Sequence, residues 1–528
     1  MKKIITFLKK HWFIVTIILL GLLRFLFTYK LPNFYLYAMN YDDGLMANQT
    51  LSLLSGKYLG TYDYRTLIKG PIFPFLLFII RLYKMNYSSV FTVLYTISCI
   101  YFTYSMKNIV KDKKYLIFIY LILLFNPVTY SSDLLQRLYR NSISIIELLF
   151  FLGSVIRVLF SKNNKVYNYI LLGLSLSFLF LTREDNLWTY PIIAFIIIYN
   201  FIKNKKLKVL LLNLIPIIIL ILNLNIISFV NYKNYGIYTY NEIQKSEFHN
   251  TYKKVLQIKD DEKKKKVAIP KSTFYKLAKN SKVFNIDNSK LDSYYKMYAD
   301  PVTEEIYNGN IIWYFRYIMY INNEFKTGKE SEKFYKELGK EIDELFEKKA
   351  LEKEFIMPSS FMAVPTKDDL IEVGKNIIYT IGYTATYKDI KTLTKVDNYE
   401  YDSGYKAYYF RYDNYHNTAN IVKKNGFIYE MIRILYYSLT IVFGIIAILL
   451  YLNNIKKFDY ISILSHLLLI CYLLIIGGTV YTHVTSFDAI RPLYLGNIYI
   501  IQTIFILLNL YRRVSVSKEV SIDNKKSN

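Results

Sequence analysis

Long apolar segments recur along the chain and are separated by short polar segments that are rich in lysine and arginine. A helix needs roughly 20 apolar residues to cross a hydrocarbon core about 30 Å thick. The segments that approach this length are 12–29, 90–106, 115–128, 143–160, 167–181, 187–202, 207–230, 427–452, 461–476 and 493–510. The pattern therefore predicts a mainly α-helical, polytopic membrane bundle of about ten spans.

The basic residues predict the orientation of this bundle. They precede the first apolar segment and then cluster at 107–114, 162–165, 203–208, 456–457 and 512–513. Because basic loops are retained in the cytoplasm, these positions belong on the inner side. We therefore predict a multi-pass protein of the cytoplasmic membrane with both termini, including the tail 514–528, inside the cell.

A shorter apolar segment at 72–83 is interpreted differently. It has about a dozen residues, which makes it too short to span, and prolines lie at 71 and 74, beside its start. Counting it as a span would also place the lysines at 107–114 outside the cell. We predict an interfacial or re-entrant helix within an outer loop that covers residues 30–88.

A polar region at 231–426 interrupts the apolar pattern and predicts an extracytoplasmic soluble domain. Phe334, Leu338, Ile342 and Leu345 have the spacing of an amphipathic helix within 331–353. Alternating residues at 377–383 and 405–412 favour strands, so the expected outer domain is α+β. It would separate an N-terminal membrane module at 1–230 from C-terminal membrane helices at 427–513.

Composition changes this interpretation in two respects. The net charge of +26 is compatible with nucleic-acid binding, but the basic residues lie beside the ends of apolar segments, so a nucleic-acid partner is not expected. Cys99 and Cys471 both lie inside apolar segments. The sequence therefore indicates neither a disulfide framework nor a cysteine-based metal site.

Asp42 and Asp43 are the strongest catalytic candidates. They follow the first span in the sequence Asn40-Tyr-Asp-Asp-Gly, at the start of the outer loop. A carboxylate beside a low-dielectric wall can take a proton from a hydroxyl group. An isolated Asp-Asp-Gly is more often a solvated turn, but the other polar residues of the membrane segments are expected on this same face.

A second group of polar residues begins at Arg137. Arg137, Arg140, Asn141 and Glu147 recur at helical steps and predict one polar stripe that enters the membrane. Glu147 lies in apolar sequence, so it is expected to face the bundle interior and pair with a cation, for which Arg24 is one candidate. A purely structural ion pair is the alternative.

Further polar residues at the predicted outer face complete the candidate site. A departing phosphate needs its charge neutralised, which suits a ring of cations. The residues predicted to bind phosphate are Lys69, Arg137, Arg140 and Arg491. The residues predicted to support the site are Asn141, Glu147, Arg183, Glu184, Asp185, His483, Asp488 and Tyr494. Outward-facing charges are common at helix ends, so taken individually these charged groups at 183–185 and 483–494 are more often structural.

Two motifs carry a resemblance to a known family. The segments Asn40-Tyr-Asp-Asp-Gly-Leu-Met-Ala and Leu67-Ile-Lys-Gly-Pro-Ile-Phe-Pro resemble the first outer loop of GT-C membrane glycosyltransferases. The protein O-mannosyltransferase and aminoarabinose transferase branch is the most similar, and the resemblance covers residues 1–230. It implies a GT-C fold, with Asp42 as the catalytic acid, Asp43 as the acid that follows it and Lys69 near a lipid phosphate.

The same resemblance implies a reaction and a departure from the family pattern. The family's second outer loop usually carries an Arg followed by an Asp, whereas Asn141 stands at the matching place here. We therefore expect no cofactor and no dedicated metal site. The implied activity is transfer of a sugar, with inversion, from a polyprenyl-phosphate-linked donor to a hydroxyl of an envelope glycan, lipid or protein.

Two other classes remain as alternatives. A cell-envelope polysaccharide polymerase or ligase would use a similar lipid donor, but its main outer loop would be rich in Arg and His. A transporter would show internal repeats or broken helices near the membrane midplane. Neither feature is apparent in the sequence.

Overall fold

The computed structural model describes residues 2–29, 31–34, 42–161, 165–356, 365–393 and 419–526. Within these ranges the chain forms helices and a few isolated β-bridges, and it forms no strand.

The first half of the chain supplies nine α-helices: α1 (Lys2–Thr28), α2 (Asp42–Leu54), α3 (Ile72–Leu82), α4 (Tyr87–Met106), α5 (Lys113–Leu124), α6 (Asn141–Phe160), α7 (Val166–Thr182), α8 (Thr189–Asn204) and α9 (Leu207–Tyr235). Short 3₁₀ or π turns lie between α5 and α6 and between α7 and α8, at Pro127–Tyr130, Ser132–Gln136 and Asn186–Trp188.

The second half begins with five helices that follow α9: α10 (Glu247–Leu256), α11 (Lys271–Asn280), α12 (Asn288–Tyr298), α13 (Asn308–Asn323) and α14 (Gly328–Glu347). Four further helices complete the described chain: α15 (Lys367–Thr386), α16 (Ala419–Leu452), α17 (Tyr460–Thr485) and α18 (Pro492–Lys526).

Among the described residues, seven helices are long and apolar enough to cross a membrane, which is consistent with a multi-pass membrane protein. They are Lys9–Thr28, Tyr87–Met106, Asn141–Phe160, Leu207–Tyr235, Gly426–Leu452, Tyr460–Thr485 and Pro492–Val514. An eighth span would combine α5 with Pro127–Gln136 across a 45° bend.

The ten predicted spans are all helical, but by length and composition fewer than ten qualify. The helix at 115–128 ends after 12 residues, and those at 167–181 and 187–202 have 17 and 16 residues. The segment 72–83 forms the short helix α3, as expected, with 11 residues.

One hydrophobic core joins the membrane helices. Its centre is α6, which packs against α4, α7 and α18. In the apolar part of α6, 89% of the residues are buried. By contrast, apolar side chains such as Leu19, Ile218 and Leu449 are exposed on the outside of α1, α9 and α16. This arrangement is typical of helices that present apolar residues to lipid and bury their contacts with one another.

A second core lies in α10–α14 and includes part of the outer loop. Leu59, Tyr62 and Leu67 pack with the buried residues of these helices. The predicted amphipathic helix is confirmed as α14, in which Leu338 and Ile342 are fully buried. The outer loop therefore packs against α10–α14 as well as against the membrane bundle.

The prediction of a strand at 377–383 is wrong, because this segment lies inside α15. Towards its C-terminal end the helix buries Thr380, Tyr383 and Thr384, which have helical spacing, and Gln502 of α18 donates a hydrogen bond of 3.2 Å to the Thr384 carbonyl. A capping box at Thr366 begins the helix. Thus α15 packs with the membrane helices α16 and α17, and the described part of the predicted α+β domain is helical. The segment 405–412 lies outside the described residues.

Candidate functional site

Asp42 and Asp43 open helix α2, so the acidic pair forms a helical first turn where a loop was predicted. Carboxylates are favourable here because the helix dipole is positive at its N-terminus. The two side chains have different surroundings. Asp43 is fully buried, whereas 19% of the Asp42 side chain is exposed. Only Asp42 is therefore accessible to a reactant.

Arg137 holds Asp43 in place through a bidentate pair, with its Nε and Nη2 atoms 2.8 and 2.6 Å from the two carboxylate oxygens. Arg137 lies in extended backbone that bridges to Phe34, whose carbonyl accepts a 2.7 Å hydrogen bond from the Leu138 amide. Helix α6 begins only at Asn141. The predicted helical stripe is therefore wrong at Arg137, because the bridge to Phe34 keeps this residue extended, whereas Arg140 has helical backbone angles directly before α6.

Lys69 contacts Asp42, and a tightly held loop places it there. The Lys69 Nζ atom lies 3.1 Å from Asp42 Oδ2. Leu67 has a φ of 60°, and its carbonyl accepts a 2.9 Å hydrogen bond from the Glu242 amide. Gly70 approaches α7 so closely that an added Cβ would lie 1.8 Å from the Leu181 carbonyl oxygen. Only glycine fits at this position.

Tyr139 is the second group that contacts Asp42, and it was not predicted from the sequence. Its hydroxyl donates a 3.0 Å hydrogen bond to Asp42 Oδ2, and the Arg137 guanidinium lies 4.9 Å from its ring centroid. Its position between two arginines that were singled out could have drawn attention to it. The abundance of tyrosine, with 54 in the chain, concealed this signal.

Two more ion pairs extend the site. Arg140 donates to both oxygens of Glu184, at 2.5 and 3.1 Å, and to the Thr182 carbonyl at 3.1 Å. Arg183 pairs with Asp185. The four cations of these pairs are therefore matched by four carboxylates, and the cluster is electrically balanced.

The ion pairs keep the carboxylates charged. Burial acts to raise the pKa of Asp42, but the charges of Lys69 and Arg140 and the hydrogen bonds from Lys69 and Tyr139 outweigh it, so the pKa is lowered. Burial likewise opposes ionisation of Glu184, and Arg140 and Lys69 lower its pKa. Both groups are therefore ionised at neutral pH.

Asp42 faces a cavity of about 250 Å³ between the membrane bundle and the outer domain. Helix α2 supplies one wall, and the outer loop supplies Tyr64 and Arg65. The end of α12 and the start of α13 supply Tyr298 and Trp313. The aromatic lining was not predicted, although Trp313 is one of only three tryptophans.

Asn141 and Glu147 lie deeper in the bundle. Asn141 Nδ2 donates a 2.7 Å hydrogen bond to the Leu493 carbonyl, and Glu147 accepts one of 2.5 Å from the Thr182 hydroxyl. Within the described residues Glu147 forms no salt bridge, so the predicted cation pair is not found. Arg24 instead donates to Thr129, at 3.0 and 3.1 Å. The Thr182 hydroxyl therefore pairs with one carboxylate oxygen of Glu147, and the other oxygen, Oε2, is buried without a hydrogen-bond partner among the residues that the structure describes.

His483, Asp488 and Arg491 form a separate cluster between α17 and α18. Asp488 is 2.7 Å from Arg491 Nη2 and 3.1 Å from His483 Nδ1. The Arg491 side chain is 58% exposed. Tyr494 joins the main site, since its ring centroid lies 6.0 Å from the Arg183 guanidinium. The structure therefore brings Tyr494 close to the Asp42 cluster and leaves Arg491 paired at its edge.

Within the part of the chain that the structure describes, no three His, Cys, Asp or Glu side chains are grouped so that they could hold a metal ion. Metal-independent chemistry stays a prediction.

Comparison of the chain with protein-family models, with curated proteins and with solved structures found no match.

Proposed function

We propose that the protein is a membrane glycosyltransferase that moves a sugar from a polyprenyl-phosphate-linked donor to a hydroxyl acceptor, with inversion. The observation that carries this proposal is Asp42, a partly exposed carboxylate on a cavity, in contact with Lys69 and Tyr139. The GT-C resemblance of the two motifs around Asp42 and Lys69 supports it independently. We place the reaction at the outer face of the cytoplasmic membrane, as the basic loops predict.

Asp42 is assigned the role of general base. The acceptor oxygen attacks the anomeric carbon while the bond from that carbon to the phosphate oxygen breaks. The acceptor proton passes to Asp42, and the electron pair of the broken bond leaves with the polyprenyl phosphate. In-line attack inverts the anomeric centre. Tyr139 orients the carboxylate through its 3.0 Å hydrogen bond.

Lys69 is assigned to the donor phosphate. The cluster is balanced before substrate arrives, so an added phosphate must draw a cation from an existing pair. Arg137 and Arg140 each make two-pronged contacts with carboxylates, whereas Lys69 makes one contact with Asp42 at 3.1 Å. Lys69 is therefore the cation that is released most readily.

The movement of the Lys69 side chain from Asp42 to the donor phosphate couples donor binding to catalysis. While Lys69 stays on Asp42, it lowers the pKa of the carboxyl group and makes it a weak base. When Lys69 turns to the phosphate, that stabilisation decreases, and the affinity of Asp42 for a proton rises. The base is then strongest when the donor is present.

Purified protein assayed with polyprenyl-phosphate-linked sugars tests the proposal through release of polyprenyl phosphate. We expect Lys69→Ala to cost about 2 to 4 kcal/mol of transition-state stabilisation, as loss of a comparable charge-stabilising group does. Lys57→Ala is the matched control, because Lys57 is exposed on the same loop. Equal turnover in the two variants, or no release with any donor, would refute the proposal.

A further inference from the structure

The cavity beside Asp42 carries information about the acceptor. We propose that it binds a saccharide and that a saccharide hydroxyl is therefore the acceptor group. This inference rests on the proposed transfer reaction for its catalytic meaning. Its binding component can be tested separately.

The lining of the cavity suits a sugar ring. A pyranose has an apolar C–H face and a polar rim of hydroxyl groups, so it needs an aromatic surface bordered by hydrogen-bonding groups. Tyr298 and Trp313 supply aromatic surface, and Arg65 and Asn310 supply polar groups at the same cavity. Tyrosine and tryptophan provide a rigid apolar body and a polar tip, which matches both parts of a sugar.

The size and position of the cavity favour one sugar unit over the other acceptor classes. A volume of about 250 Å³ is just below the ~300 Å³ at which pockets for drug-sized ligands begin. A lipid acceptor would need an apolar channel, whereas charged and hydroxyl-bearing side chains contribute much of this lining. A peptide that binds by strand addition needs a sheet edge, and the described residues around the cavity form helices and turns.

The cavity also places a bound saccharide at the reacting groups. Asp42 forms part of its wall, so a hydroxyl on the sugar rim can meet the carboxylate directly. The Trp313 ring centroid lies 5.5 Å from Lys69 Nζ. The same indole therefore borders both the saccharide cavity and the cation assigned to the donor phosphate.

The backbone of the cavity wall is held by a buried network. Arg316 of α13 donates to the Tyr64 carbonyl at 2.6 Å and the Thr66 carbonyl at 3.2 Å, and it pairs with Glu242. Both Arg316 and Glu242 are buried. The loop that presents Tyr64 and Arg65 is thus fixed to α13, which presents Trp313.

Tryptophan emission of the full-length protein in detergent tests the binding component. The probes are a panel of methyl hexopyranosides, a short peptide containing Ser and Thr, and a lysophospholipid. We expect a saturable change with at least one hexopyranoside, and its disappearance in Trp313→Phe. Asn310→Ala should weaken the saccharide about fivefold, the effect of one lost hydrogen bond. Asn323→Ala, on the same helix and outside the cavity lining, should have no effect.

A second titration separates the saccharide from the donor phosphate. A short-chain polyprenyl phosphate should lose affinity in Lys69→Ala, whereas hexopyranoside binding should persist in that variant. Saccharide binding without sugar transfer would leave the binding component of this inference intact and refute the proposed function together with the acceptor role. The inference is overturned if no hexopyranoside saturates, if only the peptide or the lysophospholipid does, or if Asn310→Ala behaves like Asn323→Ala.

Discussion

Two adjacent aspartates illustrate how surroundings assign different roles to the same side chain. Asp43 is fully buried and clamped by Arg137, which suits a structural role. Asp42 is reachable from a cavity and is held by Lys69, which a substrate anion can compete for. Pairs of titratable groups whose environments differ in this way are typical of acid–base sites. Burial and contacts, rather than residue type, therefore distinguish the proposed base.

The Lys69–Asp42 pair leads to a prediction about pH. Lys69 lowers the pKa of Asp42, so its removal should raise that pKa. In Lys69→Met we expect the acidic limb of the kcat/KM profile to move to higher pH, because the base then protonates earlier on acidification. Lys57→Met is the control and should leave the limb in place. If the acidic limb does not move in Lys69→Met, a group other than Asp42 determines that limb.

The buried pair of Asp43 leads to a prediction about stability. Asp43→Asn keeps the shape but removes the charge that the Arg137 guanidinium binds, which should cost about 3 kcal/mol. Thermal unfolding in detergent measures the loss. Asp185→Asn is the matched control, because the Asp185 side chain is 59% exposed and such pairs contribute under about 1 kcal/mol. Equal melting temperatures for the two variants would contradict the structural role of Asp43.

At the scale of elements, the loop from Leu67 to Gly70 determines where Lys69 lies. It passes between the end of α7 and the segment that follows α9, with Gly70 against the Leu181 carbonyl. Asn241 adds a 2.8 Å hydrogen bond to the Ile68 carbonyl. Such close approach of two backbones leaves no room for a side chain, so the position of Lys69 depends on a glycine.

Gly70→Ala is therefore expected to lower both the melting temperature and sugar transfer, because the new methyl group must displace the loop from α7. Gly374→Ala in α15 is the control, since no atom lies within 4 Å of the added carbon there. This control should be neutral or slightly stabilising, given the helix propensity of alanine. Normal transfer in Gly70→Ala would mean that the loop can shift without disturbing the site.

The helices were largely predictable because their apolar patterns are long, as in α6 and α14. The strand prediction failed at 377–383. A short apolar segment is compatible with the periodicity of a helix and with that of a strand, and here the packing against α17 favours the helix. The extended backbone at Arg137 was not predictable, because its partner Phe34 is distant in sequence. Likewise, Asp42 and Lys69 could be predicted as site residues from the sequence, but their contact with each other depends on the loop at Gly70.

At the scale of the whole molecule, the outer loop connects two hydrophobic cores. Leu59, Tyr62 and Leu67 belong to the core of α10–α14, while α2 and α3 pack against the membrane bundle. The buried pair of Arg316 and Glu242 reinforces this connection, with the Tyr62 hydroxyl donating to Glu242 at 3.0 Å. The loop and the outer domain must therefore lie on one side of the membrane.

Cysteine labelling tests this arrangement. In a chain with Cys99 and Cys471 replaced by alanine, Lys57→Cys and Lys329→Cys should both react with an impermeant thiol reagent on intact cells, since both positions are exposed. Lys205→Cys, exposed in the basic loop between α8 and α9, should react only after permeabilisation. Labelling of Lys205→Cys on intact cells, or of only one of the other two, would contradict the orientation.

The most direct test of the central claim is sugar transfer by Asp42→Asn in detergent. Asparagine keeps the size and hydrogen-bonding capacity of the side chain and removes the proton acceptor, so transfer should fall by roughly 100-fold or more. Binding of the polyprenyl-phosphate-linked donor should persist, because Lys69 and the arginines remain. Full transfer activity in Asp42→Asn would remove this carboxylate from catalysis and contradict the proposed mechanism.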